Sequence, residues 1–153
     1  MIMEGKFSVK AQLQNMWDML FANVGNVAAC MPGVELDKMV DDKTYDLILK
    51  QKVGPFKLTM KGPVILNSVQ APSHLGMDGD FVDVMKLGQF RAKINVDLKE
   101  TGPEVELAYR VDVAVSGKMA ALGVADRFMR TKGVEMEKEF VNNLKALIEK
   151  NMA

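Results

Sequence analysis

Few side chains in this sequence have the type and spacing that covalent chemistry demands. His74, the only histidine, stands in a Pro72-Ser73-His74 turn region. A hydrolytic triad or a histidine-based metal site needs partners within a motif. None surrounds His74, which reads as a surface or capping residue. Cys30, the only cysteine, would need a neighbouring cation to lower its pKa before it served as a nucleophile. No basic residue adjoins it in the sequence, so a buried structural thiol beside a turn is expected. The carboxylate pairs Asp41/Asp42 and Asp78/Asp80 fall in a turn or on an outward strand face, where solvation accounts for them. Gly76 and Gly79 lie inside a strand pattern, and Gly54 and Gly62 precede prolines, so no glycine loop is spaced to cradle a phosphate. No catalytic residue, metal ligand or cofactor is expected, and the chemistry on offer is non-covalent.

Composition narrows the class further. A chain of 153 residues predicts one domain, 1–153, able to bury a full core without staples. Twenty basic residues balance twenty acidic ones, and no Lys/Arg cluster carries interleaved aromatics, which argues against nucleic acid as a partner. A single cysteine excludes an intramolecular disulfide and suits a reducing compartment. Met1 to Lys10 alternates and carries Glu4 and Lys6, unlike a signal peptide, and no apolar run approaches the ~18 residues of a membrane span. Thirteen methionines are unusual, whether through compositional drift or because flexible thioethers suit an irregular ligand.

The elements follow from periodicity. Ile2 to Lys10 alternates as a half-buried strand, and Gln12 to Asn23 switches to helical spacing through Leu13, Met16, Trp17, Leu20 and Phe21. Val27 to Cys30 makes a second helical turn, ending at Met31-Pro32-Gly33. Strands are then expected at 34–40, 44–53, 56–69, 73–84, 90–98 and 105–115, with turns at Asp41-Asp42-Lys43, Gly54-Pro55, Ala71-Pro72 and Thr101-Gly102-Pro103. Gly62-Pro63 inside the fourth strand suggests a bulge or an edge position. Short links throughout predict an antiparallel meander with one solvated face. The chain closes on a long amphipathic helix from about Ser116 to Ala153, whose apolar ladder reads Leu122, Met129, Gly133, Met136, Phe140, Leu144 and Leu147. About seven strands, two short helices between the first and second, and one long helix make an α+β fold, a sheet curled around its terminal helix.

The inward positions are nearly all apolar: Leu47, Leu49, Leu58, Met60, Met77, Phe90, Ile94, Leu107, Val111, Leu122, Met129 and Met136. Periodicity alone favours a filled core of these residues. Gln51 and Tyr109 share that face, either to orient a ligand or to hydrogen-bond each other or the backbone. Gly133 lies on the inward ladder, where glycine costs about 1 kcal/mol against alanine. It would permit close helix–sheet contact, leave room for a ligand, or mark a kink.

Four stretches resemble a known family. They are Gly5-Lys6-Phe7-Ser8-Val9 leading into a helix with Trp17, Cys30-Met31-Pro32-Gly33-Val34-Glu35, Lys52-Val53-Gly54-Pro55-Phe56-Lys57-Leu58 with Lys61-Gly62-Pro63-Val64, and Ser116-Gly117-Lys118-Met119-Ala120-Ala121-Leu122-Gly123. Together they resemble the CoxG family, the G subunits of carbon monoxide dehydrogenase, within the START-like, Bet v 1-like (SRPBCC, helix-grip) superfamily. Ser116 replaces the family's first glycine, the extra membrane-attachment tail of some members is missing, and Val124 to Lys132 departs from the pattern.

The resemblance implies a helix-grip fold and a non-catalytic accessory protein with an internal cavity for a hydrophobic small molecule such as a quinone, isoprenoid or fatty-acid-like lipid. The implied setting is cytoplasmic, with peripheral contact at the inner face of the membrane and a carbon monoxide dehydrogenase-type molybdenum hydroxylase as partner. The expected ligand-binding residues are the inward apolar set with Gln51, Tyr109 and Gly133, joined by Met119. Met119, Met129 and Met136 are the first places to expect contact. Two alternatives stand beside this: a polyketide cyclase/aromatase-like enzyme on the same fold, and a cavity-free interaction module.

Overall fold

The computed structural model describes residues 1–53 and 55–152. The period-two segments become seven strands: β1 Ile2–Lys10, β2 Val34–Asp41, β3 Thr44–Val53, β4 Phe56–Gln70, β5 His74–Asp83, β6 Gln89–Thr101 and β7 Glu104–Ser116. They form one sheet in the order β1-β7-β6-β5-β4-β3-β2, antiparallel at every junction. Hairpin links make β2 to β7 a meander. Only the link from β1 to β2 spans the sheet from one edge to the other, and it carries α1 Leu13–Ala22 and α2 Val24–Ala29. The Gly54 half of the expected Gly54-Pro55 turn lies outside the described residues.

The Gly62-Pro63 expectation needs correction in one respect: β4 is an interior strand, paired on both sides. Pro63 is opposite Asp46 of β3, while the ladder to β5 passes from Lys61–Val82 to Val64–Gly79 and skips both residues. A proline, which has no N–H to donate, is tolerated where pairing lapses. The register shift itself comes later, between Leu66 and Ser68.

The terminal helix is less continuous than its periodicity suggests. It is divided into α3 Lys118–Ala121, α4 Val124–Phe128, a π-helical turn Met129–Gly133, and α5 Val134–Met152. Gly117 and Gly123 flank α3 with φ of 81° and 68°, a left-handed geometry that glycine adopts without penalty. The joint at Gly123 resets the helical phase, so Leu122 is 57% exposed and does not belong to the inward ladder. Further along, the inward face is Gly133, Met136, Glu137, Phe140, Leu144 and Ile148, the last fully buried.

Two apolar clusters hold the helices to the sheet. The first packs Val9, Met16, Trp17, Met19, Cys30, Leu98, Val105 and Leu107 against Leu144 and Ile148 of α5. The second packs Leu58, Met60, Val64 and Phe81 against Met119 of α3, at the other end of the sheet. β3, β5 and β7 run the same way, so their C-terminal ends gather beside α3 and the π turn. Met119 N donates to Leu87 O at 2.8 Å, and Lys132 Nζ donates to Lys52 O at 2.6 Å.

Candidate functional site

The concave face between sheet and helix takes most of the expected residues, but in three different states. Leu58, Met60 and Met119 are buried in the second cluster, with Leu47, Leu49, Met77 and Phe90 half-buried against it. Leu107 is buried in the first cluster, and Tyr109 packs at its margin. Ile94 and Val111 of the sheet, and Met129 and Met136 of the helix, are half-buried and belong to neither cluster among the described residues. Apolar side chains that alternate inward in a packed core would be covered. These four keep some exposure although they lie on the facing sides of sheet and helix.

Gly133 is buried, and a Cβ placed there would lie 3.0 Å from Met129 Sδ, one turn earlier. It ends the π-helical turn, whose wider spacing breaks the regular i→i+4 ladder. Such an interruption is one of the places where helices bend. Gln51 is committed elsewhere: its Nε2 donates to Pro32 O at 2.7 Å. Lys50 N donates to Gly33 O at 2.7 Å, and Asn143 Nδ2 of α5 donates to Cys30 O at 3.0 Å. The Cys30–Gly33 loop is thus fastened to β3 and to α5.

Two inward polar residues escaped the apolar pattern. Asp83 ends β5 only 2% exposed; its Oδ2 accepts Met85 N at 2.9 Å and Leu87 N at 3.2 Å, shaping the turn to β6. The alternation through Leu75, Met77 and Phe81 already points position 83 inward. Glu137 lies on the inward ladder one turn after Gly133, and its Oε2 is buried without a hydrogen-bond partner. Its carboxylate lies close enough to the Tyr109 hydroxyl to act on it by charge and by a side-chain hydrogen bond. Burial, then the charge of Glu137 and the hydrogen bond to its carboxylate, push the Tyr109 phenol up to about 12, so it is a protonated donor at neutral pH.

The residues weighed first for chemistry are accounted for structurally. His74 Nδ1 pairs with Asp97 Oδ1 at 2.7 Å on the outer face. Asp41 Oδ1 accepts Lys43 N at 2.8 Å within its turn, and Asp80 accepts Gln89 Nε2 at 2.6 Å. Cys30 is buried, with Sγ 3.3 Å from Asn26 O, and burial pushes its thiol pKa up. Folded protein is therefore expected to react with an aromatic disulfide reagent at least about tenfold more slowly than protein in urea. Comparable rates in the two states would show that Cys30 is accessible. Among the described residues, no three His, Cys, Asp or Glu side chains gather as a metal site would require. No helix among them is long and apolar enough to cross a membrane.

A seven-stranded antiparallel sheet gripping a C-terminal helix defines the helix-grip class, the Bet v 1-like fold. A conserved protein from Geobacillus kaustophilus superposes with a TM-score of 0.80 at 18% identity, covering 100% of this chain and 98% of its own. A protein from Arthrobacter aurescens gives 0.65 at 14%, covering 97% and 86%. The Zhui aromatase/cyclase from Streptomyces sp. R1128 gives 0.59 at 13%, covering 99% and 93%. At these identities the likeness establishes the fold alone. The family is established by sequence: residues 5–149 match the profile of CoxG, the G subunits of carbon monoxide dehydrogenase, and the chain belongs to the CoxG family. A search of curated protein sequences finds no significant match.

Proposed function

We propose that this protein is a non-catalytic carrier that holds a hydrophobic small molecule, a quinone or similar isoprenoid lipid, between its sheet and its terminal helix. The observation that carries the reading is the band of Ile94, Val111, Met129 and Met136, inward and half-buried between two closed clusters. A ligand burying about 300 Å² of apolar surface there would gain about 7.5 kcal/mol before the costs of association. Methionine on the helical side suits a ligand of irregular outline. Family membership supports the further proposal that the carrier serves a carbon monoxide dehydrogenase-type molybdenum hydroxylase.

Loading is proposed at the α3 end. The Cys30–Gly33 loop is tied down, whereas α3 is a single turn between two left-handed glycines. A pocket of about 240 Å³, lined by Met1, Val113, Val115, Ala120, Gly123 and Asp126, opens at the same end. Met85, 73% exposed, and Leu122 project there beside exposed Lys86 and Lys118, an arrangement suited to peripheral contact with an anionic membrane.

Native mass spectrometry of detergent-free protein is expected to find a lipophile adduct. Delipidated protein is expected to take up a short-chain quinone. No adduct, and no binding of quinones, isoprenoid alcohols or fatty acids, would overturn the carrier reading. A cyclase reading draws on the aromatase/cyclase fold likeness and on the Tyr109–Glu137 pair. Carriage is favoured because a phenol held near 12 is a poor acid–base catalyst at neutral pH.

A further inference from the structure

Among the apolar walls of the inner space, one pair of polar groups stands apart. Glu137 projects from α5 with Oε2 buried and unpartnered, and none of the ion pairs among the described residues includes it. Tyr109 approaches from β7. Its side chain covers Gly5 of the neighbouring strand, where a Cβ would stand 2.5 Å from the hydroxyl oxygen. Its ring meets Phe140 edge-on, with centroids 6.5 Å apart, so it has little freedom to turn away. An acceptor left buried without a donor is costly to the fold. Glycine at position 5 and an aromatic clamp at position 140 hold the phenol beside that acceptor.

We propose that Glu137 and Tyr109 are the polar anchor of the carrier site, and that they select neutral lipophiles headed by a hydroxyl donor over those headed by a carboxylate. The inference rests on the carrier reading above. An alcohol or hydroquinone hydroxyl donates to Glu137 Oε2, and its oxygen accepts from the Tyr109 hydroxyl, so both groups are satisfied by one ligand atom. A carboxylate head would meet the negative charge of Glu137 with no proton to offer. A quinone carbonyl satisfies Tyr109 but leaves Glu137 without a donor. The hydroquinone therefore binds more tightly than its quinone. Each tenfold of that preference raises the bound two-electron couple by about 30 mV.

The test uses the full chain and two probes that share one hydrocarbon chain, farnesol and farnesoate. Wild type is expected to bind farnesol at least about tenfold more tightly. Glu137→Gln is expected to bring the two affinities within about threefold, chiefly by admitting farnesoate. Tyr109→Phe, which removes only the hydroxyl, is expected to weaken farnesol about five- to tenfold. Equal affinities in wild type, a ratio unchanged in Glu137→Gln, or undiminished farnesol binding in Tyr109→Phe would overturn the anchor and leave the carrier reading standing. Failure of both probes to bind wild type would overturn the carrier reading and the anchor with it.

Discussion

Ile148→Ala is expected to lower the unfolding free energy by about 2–5 kcal/mol, among the largest losses from a single truncation in the molecule. Ile148 is fully buried where α5 meets α1 and the β1–β7 end of the sheet, beside Met16, Val9 and Val105. Removing three carbons forfeits their transfer free energy and leaves a void walled by several elements at once. For a chain of this length each kcal/mol is about 2–4 °C of melting temperature, so the midpoint should fall by roughly 4–20 °C. Urea unfolding should show the loss in the midpoint with the slope unchanged. A loss below about 1 kcal/mol would mean that the cluster repacks around the gap. Leu147, half-buried, should cost less when truncated in the same way.

Gly62→Ala is expected to cost about 3 kcal/mol or more, or to prevent folding, although it adds a single methyl group. A Cβ at Gly62 would overlap the Asp80 carbonyl oxygen, and would lie 2.8 Å from its carbon and 3.0 Å from Phe81 Cα. These are backbone atoms of the adjacent strand and have no rotamer to change. The only relief is to part β4 from β5 at the position where their ladder already lapses. Gly102→Ala is the control. Its φ of 71° carries a strain of about 1–2 kcal/mol, and no atom lies within 4 Å of the added Cβ. Thermal melts of the two variants should separate steric exclusion from dihedral strain. Equal shifts would refute the close-approach account.

The sheet was legible because its face pattern is nearly unbroken. Phe90, Ala92, Ile94, Val96 and Leu98 of β6, and Val105, Leu107, Tyr109, Val111, Val113 and Val115 of β7, announce both strand and orientation. Tight turns between them left only antiparallel pairing. The terminal helix was less legible, since periodicity assumes a constant phase. Gly123 and the π turn shift that phase and Leu122 turns outward, while within the unbroken α5 the steps of four from Met136 through Phe140 and Leu144 lead to Ile148 rather than Leu147 as the buried contact. Ranking inward positions by apolarity also hid Glu137 and Asp83, because polar residues on an apolar ladder interrupt the pattern used to find it. Both become visible when the ladder is set by spacing alone. Gln51 faced inward as its alternation required, yet its partner, the Pro32 carbonyl, is nineteen residues away and belongs to a loop whose path the local sequence does not dictate.

The pairing of β1 with β7 bears on how the chain is made. Ile2 is opposite Asp112, and the Met1 amine donates to Val113 O at 2.9 Å, so among the described residues the earliest of the seven strands pairs with the last alone. On the ribosome β1 must remain unpaired while the whole meander emerges, and α5 follows later still. Contacts of such long sequence separation slow the search for the native state and leave an open strand edge exposed meanwhile. Lys6 and Lys10 on that strand, both exposed, place charge along the waiting edge and discourage pairing with other chains until β7 arrives.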